Sequence, residues 1–140
     1  MTKTKKGKGD QIFELIKEKI SSGSSYQAIG IEKESLRYNP HEHEISYIDH
    51  PKSLGASLTN KYITTDFSES QLEMITPPHN SSSMALEFLD DLHRFVSSNI
   101  GEEIIWPISI PPDIAEDSKI PIANYGKSNL AKFKESYRNG

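Results

Sequence analysis

The stretch "IGIEKESLRYNP" (residues 29–40) opens as an apolar strand and then sets two glutamates, Glu32 and Glu34, one residue apart. Side chains alternate between faces along an extended chain. Glu32, Glu34 and Leu36 therefore share one face, and Ile29, Ile31 and Lys33 share the other. Asn39 and Pro40 end the segment. Two positions along a strand span roughly 6.6 Å. Carboxylates at that separation repel by about 2.5 kcal/mol at an effective dielectric near 20. A solvated face tolerates that cost, whereas a partly buried one needs a cation beside the acids.

Working outward, "HEHEISYI" (41–48) contains a short strand over Ile45–Ile48, consistent with a hairpin back onto the first. "KYITTDF" (61–67) is rich in β-branched and aromatic residues, and "QLEMITPP" (71–78) stops at two prolines; both read as extended. Asp66 closes the first of these. Glu73 alternates with Leu72 and Met74, so it shares a face with Gln71 and Ile75. Three segments have helical patterns. In 10–20, Ile12, Phe13, Leu15, Ile16 and Ile20 fall on one face, and Asp10 caps the first turn. The second starts at Ser81–Ser83, repeats Ala85, Phe88, Leu89, Leu92, Phe95 and Val96, and closes at Asn99 and Gly101. The third starts near Ser128. Residues 105–122 carry four prolines and no helical period, an irregular segment long enough to imply function. Strands and helices are thus both present, an α+β pattern.

Four acids thus lie in or beside strands: Glu32, Glu34, Asp66 and Glu73. All-oxygen ligation of this kind suits a hard cation such as Mg2+, which usually also holds substrate phosphates. The alternative is that the acids are exposed or paired with Lys33, Arg37 and Lys61; E-x-E on a strand does not decide between the two. His41 and His43 of "HEHE" form a second metal candidate in a turn. His93 reads as a surface residue, and Trp106, before a proline, as core. Tyr137 and Arg138 either recognise a carboxylate or finish a helix with a favourable charge.

Composition bounds the rest. The chain has 140 residues, a one-domain length. Its hydrophobic fraction of 34% falls short of the roughly 45–50% apolar content of ordinary globular domains. Either part of it is disordered, or its core is completed elsewhere. The net charge of −4 gives no general attraction to nucleic acid. The basic start, "MTKTKKGKG" (1–9), reads as a flexible terminus, and no apolar run follows it to make a signal peptide. No membrane span is present, and there is no cysteine to form a disulfide or thiolate zinc site. These features place the chain in the cytoplasm, with neither a nucleic-acid nor a membrane partner. Walker-type glycine loops, G-x-S-x-G and Cys–His pairs are absent.

The stretches "GIEKESLR", "LGASLTNKYITTDFSESQLEMITP", "DLHRF", "IWPISIPPDIAE" and "ANYGKSNLAKFKESYRNG" are similar, in order and spacing, to the N-terminal part of bacterial glutamate–cysteine ligase. The resemblance covers roughly residues 28 to 140. Lys33 stands where arginine is common, and residues 39–50 and the first 20 depart from the family pattern, so "HEHE" gains nothing from it.

The resemblance implies a catalytic core like that of glutamine synthetase, an antiparallel sheet forming an open funnel with helices around it. It implies ATP as co-substrate and phosphorylation of the γ-carboxylate of L-glutamate. The amine of L-cysteine then attacks the γ-glutamyl phosphate, in the first step of glutathione synthesis. It assigns Glu32, Glu34, Asp66 and Glu73 as ligands of Mg2+, with Mn2+ able to replace it, and Tyr137 and Arg138 to the cysteine pocket. Residues 10–140 are then expected to form an N-terminal portion of a longer catalytic domain, inactive alone. The competing expectation is a non-catalytic relative that binds metal or a partner through an exposed sheet edge.

Overall fold

The computed structural model describes residues 7–22, 28–126 and 128–139. Lys3, Lys5 and Lys6 of the basic terminus lie outside the described residues. Helix α1 (Lys8–Ser21) starts two residues ahead of the expected Asp10. Asp10 acts from inside the first turn, its Oδ2 accepting the Gly7 N–H at 3.0 Å. The apolar stripe is present but unburied: Ile12, Phe13, Leu15, Ile16 and Ile20 are all more than half exposed.

The sheet is built from β1 (Glu32–Asn39), β2 (Glu44–Ile45), β3 (Ile63–Thr65), β4 (Gln71–Ile75) and β5 (Ile104–Ile105). Every pairing is antiparallel, in the order β2-β1-β4-β3, with β5 also on β1. The expected hairpin is present, with Tyr38 opposite Ile45. Its second strand is shorter than Ile45–Ile48, because the carbonyls of Ile48 and Asp49 turn towards the guanidinium of Arg37. The first strand is also shorter than its apolar start implied. Ile29 pairs with His79 as an isolated bridge, and the N–H of Ile31 donates to Thr76 Oγ1 at 2.9 Å. Between those partners lie Pro77 and Pro78, which have no N–H to continue a ladder.

Helix α2 (Ser82–Asn99) is capped by Ser81, whose hydroxyl accepts from the Met84 N–H, and the chain leaves it through Gly101 at φ +67°. Ala85 and Val96 are buried, and Leu89 and Leu92 pack beside them on the core of Leu54, Ile63, Leu72, Met74 and Ile100. Each fully buried side chain of this kind contributes about 1.5–3 kcal/mol. Phe88 meets Tyr62 edge-on at 5.3 Å, whereas Phe95, expected on the packing face, is 46% exposed. Residues 105–122 are mostly irregular, as expected, apart from the start of the segment in β5 and one 3-10 turn at Asp117–Lys119. Helix α3 (Asn129–Asn139) follows, with Ser128 Oγ accepting the Ala131 N–H.

Candidate acidic site on the open sheet face

Strand alternation gives the sheet two unlike faces. Leu72 and Met74 of β4, with Ile63 of β3, point into the core under α2. Glu73 points the other way, between two neighbours: Glu34 of β1 directly opposite on one side and Thr64 of β3 on the other. Directly opposed residues have Cβ atoms about 4.5–5.5 Å apart. Glu32, two residues before Glu34, is diagonal to Glu73, and Asp66 follows β3 two residues after Thr64. The fold therefore places the other three sequence-derived acids, Glu32, Glu34 and Asp66, around Glu73.

The electrostatics follow from that register. Burial pushes the Glu73 carboxyl above the ordinary range of a glutamate. The charges of Glu32, Glu34 and Asp66 push it further, and only Lys134 pulls it back. The alternative pairings read from sequence do not form. Lys33 and Arg37 lie on the opposite face. The Lys33 ammonium reaches Ser35 Oγ at 2.9 Å and His93 Nε2 at 2.6 Å. Arg37 is fully buried against Glu103 at 2.5 Å. Lys61 is exposed and makes no ion pair among the described residues. Glu34 instead accepts from Gln71 Nε2 at 2.8 Å. In these side-chain conformations no three His, Asp or Glu groups among the described residues converge on one point. The donor chemistry fits a hard cation, and rotation of exposed carboxylates would be needed to close a ligand set.

Helix α3 flanks the acids. Lys134 Nζ lies 3.6 Å from Asp66 Oδ1 and donates to the Asp66 carbonyl. Tyr137 is 72% exposed, with its ring edge-on to Phe67 at 5.9 Å. Arg138 donates to the carbonyls of Ile120 (2.6 Å) and Asp117 (2.5 Å), so its guanidinium fastens the irregular segment to α3. Tyr137 and Arg138 are thus next to the acid-bearing turn without touching the acids.

The remaining candidates fall elsewhere. His41 and His43 sit in the β1–β2 turn, His43 at φ +56°, with His41 Nε2 3.8 Å from Glu102 in an exposed contact. His93 is half-buried rather than a surface residue. Burial, and then the charge of Lys33, lowers its affinity for a proton, and its Nε2 lies in hydrogen-bond contact with Lys33 Nζ. Trp106 is half-buried. It packs on Tyr38 at 4.8 Å, donates to the Ile110 carbonyl and helps wall a cavity of about 240 Å³ beside Glu34, Lys33 and Gln71.

Arg37, read from sequence only as a possible partner of the acids, and Glu69, which the sequence did not single out, tie the sheet to distant loops. Arg37 Nη2 gathers the carbonyls of Ile48, Asp49 and Glu69. The buried Glu69 carboxylate accepts backbone N–H groups from His50 and Asn124, tying the β3–β4 turn to two distant loops. Alternation carried a signal for Arg37, since position 37 shares the core face with Lys33 and Ser35. Glu69, in an irregular turn, had none.

Comparison with known proteins agrees with this architecture. A glutamate–cysteine ligase family model matches residues 13–140. The chain is 49% identical over 111 residues to the glutamate–cysteine ligase of Alcanivorax borkumensis, covering 79% of this chain and 21% of that protein. The fold is similar to the crystal structure of glutamate–cysteine ligase from Francisella tularensis in complex with AMP. The TM-score is 0.69 at 42% identity, over 79% of this chain and 22% of that one. It is also similar to a bifunctional glutathione synthetase from Pasteurella multocida, with a TM-score of 0.73 at 31% identity, over 89% and 16% of the two chains. The chain spans about a fifth of the length of the curated relatives it matches.

Proposed function

The chain belongs to the glutamate–cysteine ligase family, and on that premise we propose that its acidic sheet face forms the divalent-cation side of an ATP site. The protein that contains it would be a cytoplasmic enzyme of glutathione synthesis, joining L-cysteine to the γ-carboxylate of L-glutamate with ATP as co-substrate. The observation that carries this reading is the placement of Glu73 between Glu34, Glu32 and Asp66, which concentrates negative charge on one partly buried carboxyl.

Mg2+, or Mn2+ in its place, would neutralise phosphate charge when bound there. Glu32, Glu34, Asp66 and Glu73 are the residues that would hold it. Their task is to present ionised oxygens from a rigid backing. The β1–β4 ladder fixes the spacing of three of them, and α2 packs against the reverse of that ladder. The raised proton affinity of Glu73 opposes cation binding as pH falls, and an approaching cation favours the ionised carboxylate. A carboxylate is a poor acyl donor, and transfer of phosphate from ATP to the glutamate γ-carboxylate supplies a leaving group for attack by the cysteine amine. Tyr137, with its exposed ring beside Phe67, offers a wall for a small thiol side chain. Arg138, next to it, would supply the cation for a carboxylate by exchanging its bonds to the Ile120 and Asp117 carbonyls.

The test is calorimetric titration of the chain with Mn2+, with and without ATP. Binding that tightens with ATP and is lost in both Glu32→Gln and Glu73→Gln is expected. Binding unchanged in both variants would contradict the assignment.

A further inference from the structure

Lys134 is an unusual group to find against an acidic face. It projects from α3, yet only 7% of the residue is exposed. Its Nζ donates to the Asp66 carbonyl and lies 3.6 Å from the Asp66 carboxylate. It also sits 4.3 Å from the centroid of the Tyr125 ring and 5.9 Å from that of Phe67. The Tyr125 hydroxyl donates to the carbonyls of Thr65 and Asp66, so phenol and ammonium grip the same stretch of backbone. An ammonium that surrenders most of its hydration needs such compensation. The other basic side chains of the sheet, Lys33 and Arg37, are committed to the far face. Asp66, which Lys134 holds, follows two residues after Thr64, the residue opposite Glu73.

We propose that Lys134 is a positioning residue and built-in counter-ion of the acidic face: it orients Asp66 and balances the four carboxylates, and it opposes the entry of a divalent cation. A fixed monovalent charge beside the acids stabilises the metal-free fold and weakens cation binding, and these two effects have opposite signs for the same substitution. The metal arm of the proposal rests on the cation-binding reading of the face, whereas the stability arm does not.

The experiment compares Lys134→Met, which keeps the aliphatic stem against Tyr125 and Phe67, with Lys134→Arg, which keeps the charge. Each is made alone and with Glu73→Gln in the 140-residue chain. In metal-free buffer, Lys134→Met should lower Tm and Lys134→Arg should leave it near the parent's. Glu73→Gln should raise Tm by a few degrees more in the Met background than in the parent. With Mn2+, Lys134→Met should bind on the order of tenfold tighter, the Coulomb effect of removing one unit charge several ångströms from a dication in a water-like dielectric. Additive Tm shifts, together with Mn2+ binding that is unchanged or weaker, overturn the proposal. Coupled Tm shifts without Mn2+ binding in any variant uphold the counter-ion and sink the cation site; additive shifts with normal Mn2+ binding do the reverse. If Lys134→Met does not fold, recovery of the fold on adding Glu73→Gln supports the proposal, and no recovery overturns it.

Discussion

Glu34 and Glu73 face each other directly across the β1–β4 ladder, two like charges in a register that normally joins complementary side chains. The burial and neighbouring acids that raise the Glu73 carboxyl also set its contribution to stability. The native chain holds that proton more tightly than the unfolded chain. The contribution is therefore most favourable below the unfolded value and is lost as pH rises through the native one. Glu73→Gln should accordingly stabilise the metal-free chain near pH 7 by up to about 1 kcal/mol. The gain should disappear below the ordinary glutamate range, as read by urea denaturation at the two pH values.

The Arg37–Glu103 pair makes an opposite prediction. Arg37 is fully buried and binds Glu103 at 2.5 Å as well as three main-chain carbonyls. Arg37→Met leaves the carboxylate and those carbonyls without their donor. It should cost about 3–5 kcal/mol, read as a lowered urea midpoint.

His93 gives a pH signature of its own. Burial and the Lys33 charge lower its proton affinity in the native state. Its contribution is full above the unfolded histidine value and is lost as pH falls through the lowered native one. The slope of stability against pH just below neutrality should therefore flatten in His93→Gln, measured by thermal melts across that range.

In an intact ligase that contains this segment, Glu32→Gln and Glu73→Gln should each abolish turnover while leaving the circular dichroism spectrum unchanged. Phosphate release with glutamate, cysteine and Mg-ATP is the assay, and near-normal rates would refute the ligand assignment. The 140-residue chain by itself should release no phosphate in response to cysteine.

The sequence exposed the strands that matter because alternation is a local signal. Alternation alone separates Glu32 and Glu34 from Lys33, and Glu73 from Leu72 and Met74, by face, with no reference to any pairing. The register that sets Glu34 opposite Glu73 is a non-local choice, fixed by burying Leu72 and Met74 beneath α2. Strand ends were less legible: Pro77 and Pro78 spoil the partner of Ile29–Ile31, and Arg37 draws away the carbonyls that would have lengthened β2. Nothing local marks Lys134, because its burial depends on Tyr125 and Phe67 arriving from separate segments. The stripe of α1 is amphipathic, yet it covers nothing among the described residues, because periodicity reports a face and not its partner.

The central claim is that the acids around Glu73 bind a divalent cation, and paramagnetic broadening by Mn2+ in 15N-resolved spectra of the chain tests it most directly. Selective loss of the amide signals of Glu32–Glu34, Thr64–Asp66 and Glu73 is expected, with the signals restored in Glu73→Gln. Broadening centred on His41 and His43, or none at the acidic face, would contradict it.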